Sequence, residues 1–307
     1  MNLHKKEFKN FEELTGGMQK SAARGAIAGA GDKHTIDFLL YAKERNITPP
    51  ILVGDKAVVE ELLRQAGENP ADYEVVNAQR GNEAQRAVEL VKDGTADFLM
   101  KGMLETSEFL RPVVKRENGL RGDGVMSYVA LMSFPAYKKL LLCTDGGMIP
   151  YPDYEAKKKI LKNALEVLWA IGYERPKAAV LCCKETVDEK MPETVDAANL
   201  ARAAKQGEFG ECVVQGPLSY DVCMSPEIAK MKKFDCPDAG DFDILLFPNI
   251  HCGNIFVKSL IINCGAVSAG LIAGCKVPVI APSRGSSAEE QFLSFVLANA
   301  IAERRRA

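Results

Sequence analysis

The sequence predicts an α/β protein whose strands are largely parallel and whose helices lie on both faces of the sheet. Short β-branched or apolar runs alternate with longer amphipathic stretches along most of the chain, the pattern of strands joined by crossover helices. Several of the short runs end on glycine or in a polar turn just before a helical pattern, where such sheets gather their ligands. With 307 residues, 47% of them hydrophobic, the chain carries enough apolar surface for more than one core.

Taken in order, Ala26-Ile27-Ala28 leads to Gly29 and then to a helical face of Ile36, Leu39, Leu40 and Ala42. Pro50 to Gly54 is a strand, and Asp55 is placed to cap the helix that runs to about Gln65. Tyr73 to Val76 is the next strand. The helix through Ala84, Ala87, Val88, Leu90 and Val91 then leads to the strand Asp97 to Met100. After Arg111 the texture changes. Gly119 to Gly124 reads as a turn, and Ser127 to Met132 with Lys139 to Thr144 as a pair of antiparallel strands. A long helix from Tyr154 to about Gly172 carries Ile160, Leu161, Leu165 and Leu168. Strands are expected at 177–183, 211–215, 243–247 and 277–281, and helices at 195–206, 260–273 (glycine-spotted) and 287–305. A boundary near residues 140–150, with the last strand and helix returning to the first domain, gives domains of 1–143 with 275–307 and of 144–274.

Composition excludes several functions. A net charge of −2 gives no basic field for nucleic acid, and Glu303-Arg304-Arg305-Arg306 reads as a helix end. No run approaches the roughly 18 consecutive apolar residues of a transmembrane helix. Nine cysteines are scattered without a CxxC pair, mostly in apolar runs. With no signal peptide at the start, they suggest small buried hydrophobes in a reducing cytoplasm. The three histidines, His4, His34 and His251, lack metal-ligand spacing, so no metal is expected.

Three stretches carry chemistry. Pro278 to Ser287 passes from an apolar strand through Ser283-Arg284-Gly285 into a helix, with Ser287 and Glu290 at capping-box spacing. A hydroxyl, a guanidinium fork and a helix N-terminus make a phosphate or carboxylate cradle; an ordinary capped βα loop with an exposed arginine has the same sequence. In Met100 to Pro112, Lys101 lies at a strand's carboxyl end, Thr106 is a candidate N-cap or hydroxyl donor, and Arg111 follows about one and a half turns on. In Phe247 to Lys258, Asn254 and Lys258 share one helix face and suit either a phosphate or amide groups, or simply a cap and a surface lysine. Asp145-Gly146-Gly147 is a binding loop or a sharp turn, and Gly216 to Asp221 a turn into a helix. His251, with no acidic partner in sequence reach, reads as incidental.

In their order and spacing these stretches resemble the phosphate acetyl/butyryltransferase family over roughly residues 50–300. The resemblance rests on Ile51-Leu52-Val53-Gly54-Asp55, Leu99-Met100-Lys101-Gly102 with Thr106 and Arg111, and Gly216-Pro217-Leu218 with Asp221. It also includes Asp243-Ile244-Leu245 with Pro248, Gly253-Asn254 with Lys258, and Pro278-Val279 with Ser283-Arg284. The short chain and Lys101-Gly102 point toward the butyryl-type branch. The resemblance implies two α/β domains flanking a cleft, isocitrate/isopropylmalate-dehydrogenase-like, in a homodimer or larger homo-oligomer. It implies acyl exchange between coenzyme A and inorganic phosphate through acyl phosphate, with no tightly bound cofactor. It also implies that Ser283 and Arg284 line the active site and that Thr106 and Arg111 help hold phosphate. The chain departs from the family pattern at Glu290, where acetyl-type members can carry an aspartate, and at Gly146-Gly147, where relatives often have bulkier residues. Two rivals are a non-catalytic acyl-CoA or acyl-phosphate sensing module and a phosphate-recognising NAD-dependent dehydrogenase of the same fold.

Overall fold

The computed structural model describes residues 7–16, 22–122, 124–283 and 285–306. The chain divides into two units, each built from two stretches: Thr15–Gly124 with Ala269–Ala307, and Val125–Ser268 with Met1–Leu14. The division thus falls at residues 125 and 269 instead of 144 and 275. The antiparallel strand pair, expected in the first domain, belongs to the second, where Leu142 pairs with Ile244.

Apart from a short helix α1 (Phe11–Gly16) near its start, the chain begins with β1 (Gly25–Ala28), α2 (Lys33–Lys43), β2 (Ile51–Gly54), α3 (Lys56–Gln65), β3 (Val75–Asn77), α4 (Glu83–Lys92), β4 (Phe98–Lys101) and α5 (Thr106–Val114). Polar side chains set the helix starts: Asp32 accepts from the Thr35 N–H, and Asp55, as expected, accepts from those of Ala57 and Val58. At α5 the N-cap is Glu105, and Thr106 is the first helical residue instead of the cap.

The middle of the chain forms β5 (Ser127–Ser133), β6 (Leu141–Thr144), α6 (Tyr154–Ala170), β7 (Lys177–Leu181), α7 (Pro192–Lys205), β8 (Val213–Leu218), α8 (Tyr220–Met224), α9 (Pro226–Met231), β9 (Ile244–Leu246) and α10 (Ile250–Cys264). β5 and β6 pair antiparallel as expected, Leu131 opposite Leu142. The strand order is β5-β6-β9-β7-β8, parallel from β6 onward. Asp243, just before β9, accepts from the Lys177 N–H, and its other oxygen pairs with the buried Lys139 at 2.8 Å.

β10 (Val267–Ala273), β11 (Val279–Ile280) and α11 (Ala288–Arg306) complete the first unit. The expected helix at 260–273 is a correction: helix α10 ends at Cys264, Gly265 turns left-handed at φ 62°, and a strand follows. In the first unit the order is β3-β2-β1-β4-β11-β10, and only β10–β11 is antiparallel. Phe38, Phe98 and Phe295 meet in its core, with ring centroids 5.4 and 4.9 Å apart. The terminal arginines are not merely solvated: Arg305 donates to the Cys275 carbonyl, and Arg306 pairs with Asp97 at 2.6 Å. No helix among the described residues is long and apolar enough to cross a membrane.

Candidate functional site

The first unit gathers its chemistry where its chain order reverses. β1, β2 and β3 advance one way across the sheet, and β4 then lies on the other side of β1. The connections diverge as well, since α2 packs on α11 and α5 packs on α4. Such a switch point opens a crevice at the carboxyl ends of the strands. The register brings those ends level, with Ala28 opposite Lys101 and Ile280 opposite Met100.

A pocket opens there, lined by Asp32, His34 and Thr35 after β1, by Lys101 to Met103 after β4, and by Ser283 after β11. Backbone bonds stitch the first two loops together. The Gly102 N–H donates to the Ala28 carbonyl at 2.8 Å and that of Met103 to the Gly29 carbonyl at 3.0 Å. The approach is so close that a Cβ on Gly102 would lie 2.4 Å from the Gly29 carbonyl oxygen, so only glycine fits. Lys101 is 5% exposed, and its ammonium donates to the carbonyls of Gly102 and Leu104 at 3.3 and 3.2 Å. It is a held, nearly buried positive charge. Both carboxylate oxygens of Asp32 are engaged by Thr35, at 3.1 and 2.6 Å; the carboxylate keeps its negative charge and stands in the pocket against the lysine and the N-terminus of α2.

Ser283 is exposed on the last loop, its hydroxyl 3.3 Å from that of Ser286. The capping box forms as the sequence indicates: Ser287 N–H donates to Glu290, and Glu290 N–H to the Ser287 hydroxyl, at 3.0 and 3.1 Å. The Glu290 carboxylate is therefore a helix cap. Arg284 lies outside the described residues. Thr106 and Arg111 lie at the first and sixth positions of α5, both exposed, and neither lines the pocket.

The remaining candidates lie in the second unit. Asp145 is buried and accepts from the N–H groups of Tyr128, Gly147, Met148 and Ile149, at 2.9 to 3.2 Å. Burial pushes its carboxyl above the usual range, and those four N–H bonds pull the other way. Asp145 organises this loop, and Asn254 fixes it from α10 by donating to the Gly146 carbonyl at 3.0 Å. Gly146 and Gly253 allow the approach: a Cβ on Gly253 would sit 2.7 Å from the Asp145 carbonyl oxygen. Bulk is excluded at Gly146 by the helix behind it. Lys258 is exposed one turn beyond Asn254. His251 bonds the Tyr151 hydroxyl at 3.0 Å. Gly216-Pro217 lies inside β8, not in a turn, and Ser219 is the N-cap of α8. Among the described residues, no group of three or more His, Cys, Asp or Glu could hold a metal ion.

The loop Ala30 to Thr35 went unnoticed in the sequence as part of a site. Its signal was Gly29-Ala30-Gly31-Asp32 directly after an apolar run, the same glycine-then-cap grammar that marks Gly102 and Gly285.

The family model described as phosphate acetyl/butaryl transferase matches residues 19–299. The chain is 37% identical over 296 residues to a phosphate butyryltransferase of Clostridium acetobutylicum, covering 96% of this chain and 98% of that one. It is 40% identical over 279 residues to a probable phosphate butyryltransferase of Bacillus subtilis, covering 91% and 93%. In structure it is similar to a branched-chain phosphotransacylase from Enterococcus faecalis, with a TM-score of 0.79 and 32% identity over 91% of this chain and 99% of that one.

Proposed function

The chain belongs to the phosphate acetyl/butaryl transferase family, and from that premise we propose that it moves a short-chain acyl group, butyryl or similar, between coenzyme A and inorganic phosphate. The observation that carries the reading is the meeting of Lys101, Ser283 and the α2 N-terminus on one pocket at the switch point of the first unit. A held cation at a helix N-terminus suits a phosphate oxygen, and a hydroxyl beside it suits the oxyanion that forms on the attached acyl carbon.

In the proposed reaction the phosphate of an acyl phosphate binds at this pocket; Arg284, Arg111 and Thr106 are assigned to the phosphate side on the family resemblance alone, since neither Arg111 nor Thr106 lines the pocket. The coenzyme A thiol loses its proton, and its sulfur attacks the acyl carbonyl carbon. The new C–S bond raises a tetrahedral oxyanion, which Ser283 steadies by donating a hydrogen bond. The bond between the acyl carbon and the bridging oxygen then breaks, and phosphate leaves with that oxygen, taking up the proton that the thiol gave up. The thioester and inorganic phosphate are the products, and the same path runs in reverse. Asn254, Lys258 and the Asp145 loop are assigned to the coenzyme A side. Release of free thiol from butyryl-CoA on addition of inorganic phosphate tests the activity; thioester binding without release would favour a sensing module instead, and phosphate-dependent NAD reduction a dehydrogenase.

Lys101→Met is expected to lower kcat/KM for acyl phosphate about 10- to 100-fold, the worth of a hydrogen bond to a charged group. The urea midpoint should fall as well, since the Gly102 and Leu104 carbonyls lose their donor, so activity is compared well below the variant's unfolding midpoint. Full activity in that variant would remove Lys101 from the site.

The same reading includes a homodimer or larger homo-oligomer, a cytoplasmic setting and an isocitrate/isopropylmalate-dehydrogenase-like arrangement of the two units. The nine cysteines are free thiols, which suits a reducing compartment. Self-association is supported by α10, where Ile255 and Ile262, one heptad apart, are 66% and 79% exposed on one face. Ile262→Glu should shift the sedimenting species toward the monomer mass; a variant that sediments like the wild type would take α10 out of the contact.

A further inference from the structure

The strand order of the second unit stops at β8, and a groove runs along the open side of that strand. Among the described residues, β7 is its one strand neighbour. A parallel ladder engages alternate residues of a strand. The Val213 N–H donates to the Pro176 carbonyl at 2.9 Å, so Val213 and Gln215 face β7, while Val214 and Gly216 turn their N–H and C=O groups outward. The groove there encloses about 660 Å³, and β8 itself forms its floor.

Two walls flank this edge. Ala201, Ala204 and Lys205 of α7 form one. The helix lies so close that a Cβ on Gly216 would sit 3.2 Å from that of Ala197. Phe234, Asp235 and Pro237 form the other wall. Their segment is tied to the strand: the Cys236 thiol donates to the Gln215 side-chain oxygen at 3.2 Å, and the Gln215 amide donates to Asp238 at 2.8 Å. The edge is therefore recessed between two fixed walls. The same edge of a second copy, recessed in the same way, could not reach it; a single extended segment could. A nucleotide or a sugar has no row of alternating N–H and C=O groups to match such a floor, and a peptide does.

The two ends of the groove differ in charge. Arg175 precedes Pro176, whose carbonyl receives the first bond from β8, and Lys205 ends α7 before the chain turns back into β8. Both are exposed, and Glu211 is the acid beside them on the groove. At the far end Glu185 accepts from the Ser219 hydroxyl, just past β8, and it shares Lys232 with Asp221. Asp235 adds a further carboxylate there. Cations are thus in excess at the start of β8, and carboxylates at its end.

We propose that β8 is a docking edge for an extended tail of another protein, which adds to the sheet as an antiparallel strand. Antiparallel pairing is the more stable per residue. It lays the C-terminal side of the tail on Arg175 and Lys205 and its N-terminal side on Glu185 and Asp235. The tail is therefore acidic toward its C-terminal end and basic toward its N-terminal end. Main-chain bonds to Val214 and Gly216 give the affinity, and the charges give the direction. Pro217, with no N–H, keeps the ladder short. β7 and β9 stand between β8 and β6, the strand that leads into the Asp145 loop, so an occupied edge tethers the protein without altering turnover. The proposal stands apart from the acyl-transfer reading.

The full chain is panned against random octapeptides displayed on phage, and the enriched peptides are synthesised for Kd measurement by fluorescence anisotropy. Enriched sequences should place Asp or Glu in the C-terminal half and Lys or Arg in the N-terminal half. N-methylation of one alternate set of peptide nitrogens should weaken binding at least ~10-fold, and methylation of the other set hardly at all. Lys205→Glu should weaken the same peptides about 10-fold, the worth of one hydrogen bond to a charged group, and should leave phosphate-dependent thiol release as in the wild type. An empty selection, peptides indifferent to Lys205→Glu, or methylation effects that do not alternate overturn the proposal. So does a Lys205→Glu chain that sediments at a smaller mass than the wild type, which would give the edge to a second copy.

Discussion

Ser283→Ala is expected to lower kcat about 10²- to 10³-fold in both directions, the usual loss when an oxyanion donor is removed. Ser283 is exposed on the loop after β11, and its hydroxyl bonds only weakly with that of Ser286, at 3.3 Å. Its loss should therefore leave the melting temperature within a degree or so of the wild type. KM for phosphate should change far less than kcat, because the donor acts on charge that develops during reaction. Phosphate-dependent thiol release and thermal unfolding of the same preparation give both numbers. Turnover like the wild type's, or a fall in KM and kcat matched by a fall in melting temperature, would rule out the role.

Gly102→Ala is expected to damage both folding and chemistry. The added methyl meets the Gly29 carbonyl oxygen at 2.4 Å, and both partners are backbone fixed by the two bonds that the Gly102 and Met103 N–H groups donate to the other loop. Neither can swing aside as a side chain would, so one loop must move. Overpacking of this kind costs about 1–3 kcal/mol, visible as a lower urea midpoint at constant slope. Displacing Lys101 or the α2 N-terminus by about 1 Å should reduce kcat/KM a further ~10²-fold. An alanine variant with unchanged midpoint and activity would mean that the two loops do not meet as described.

Much of this was readable before the structure. Local rules with a single solution read best: Asp55 as a cap, Ser287 with Glu290 as a reciprocal box, and the antiparallel pairing of β5 with β6. The stretch 260–273 misled because its apolar residues fit either period, and Gly265 looked like a blemish within a helix when it was the end of one. The unit boundary fell elsewhere because strand patterning does not say which strands will pair. At the site, Lys101 and Ser283 were visible as polar residues at strand ends. Asp32 to Thr35 was not, since only the sheet order brings that loop beside Lys101. Asp145 and Asn254, whose residue types suit ligands, have in addition a use the sequence did not show: their side chains hold one loop against α10.

The interleaving of the two units bears on how the protein comes off the ribosome. The first unit starts early with β1 to β4, yet β11 and α11 follow only after all of residues 125–268 have been made. The inserted unit can therefore complete its sheet while the flanking one still exposes the free side of β4. Because Ser283 arrives with that closing segment, the proposed catalytic competence would come last in biosynthesis, after the Lys101 loop is already made.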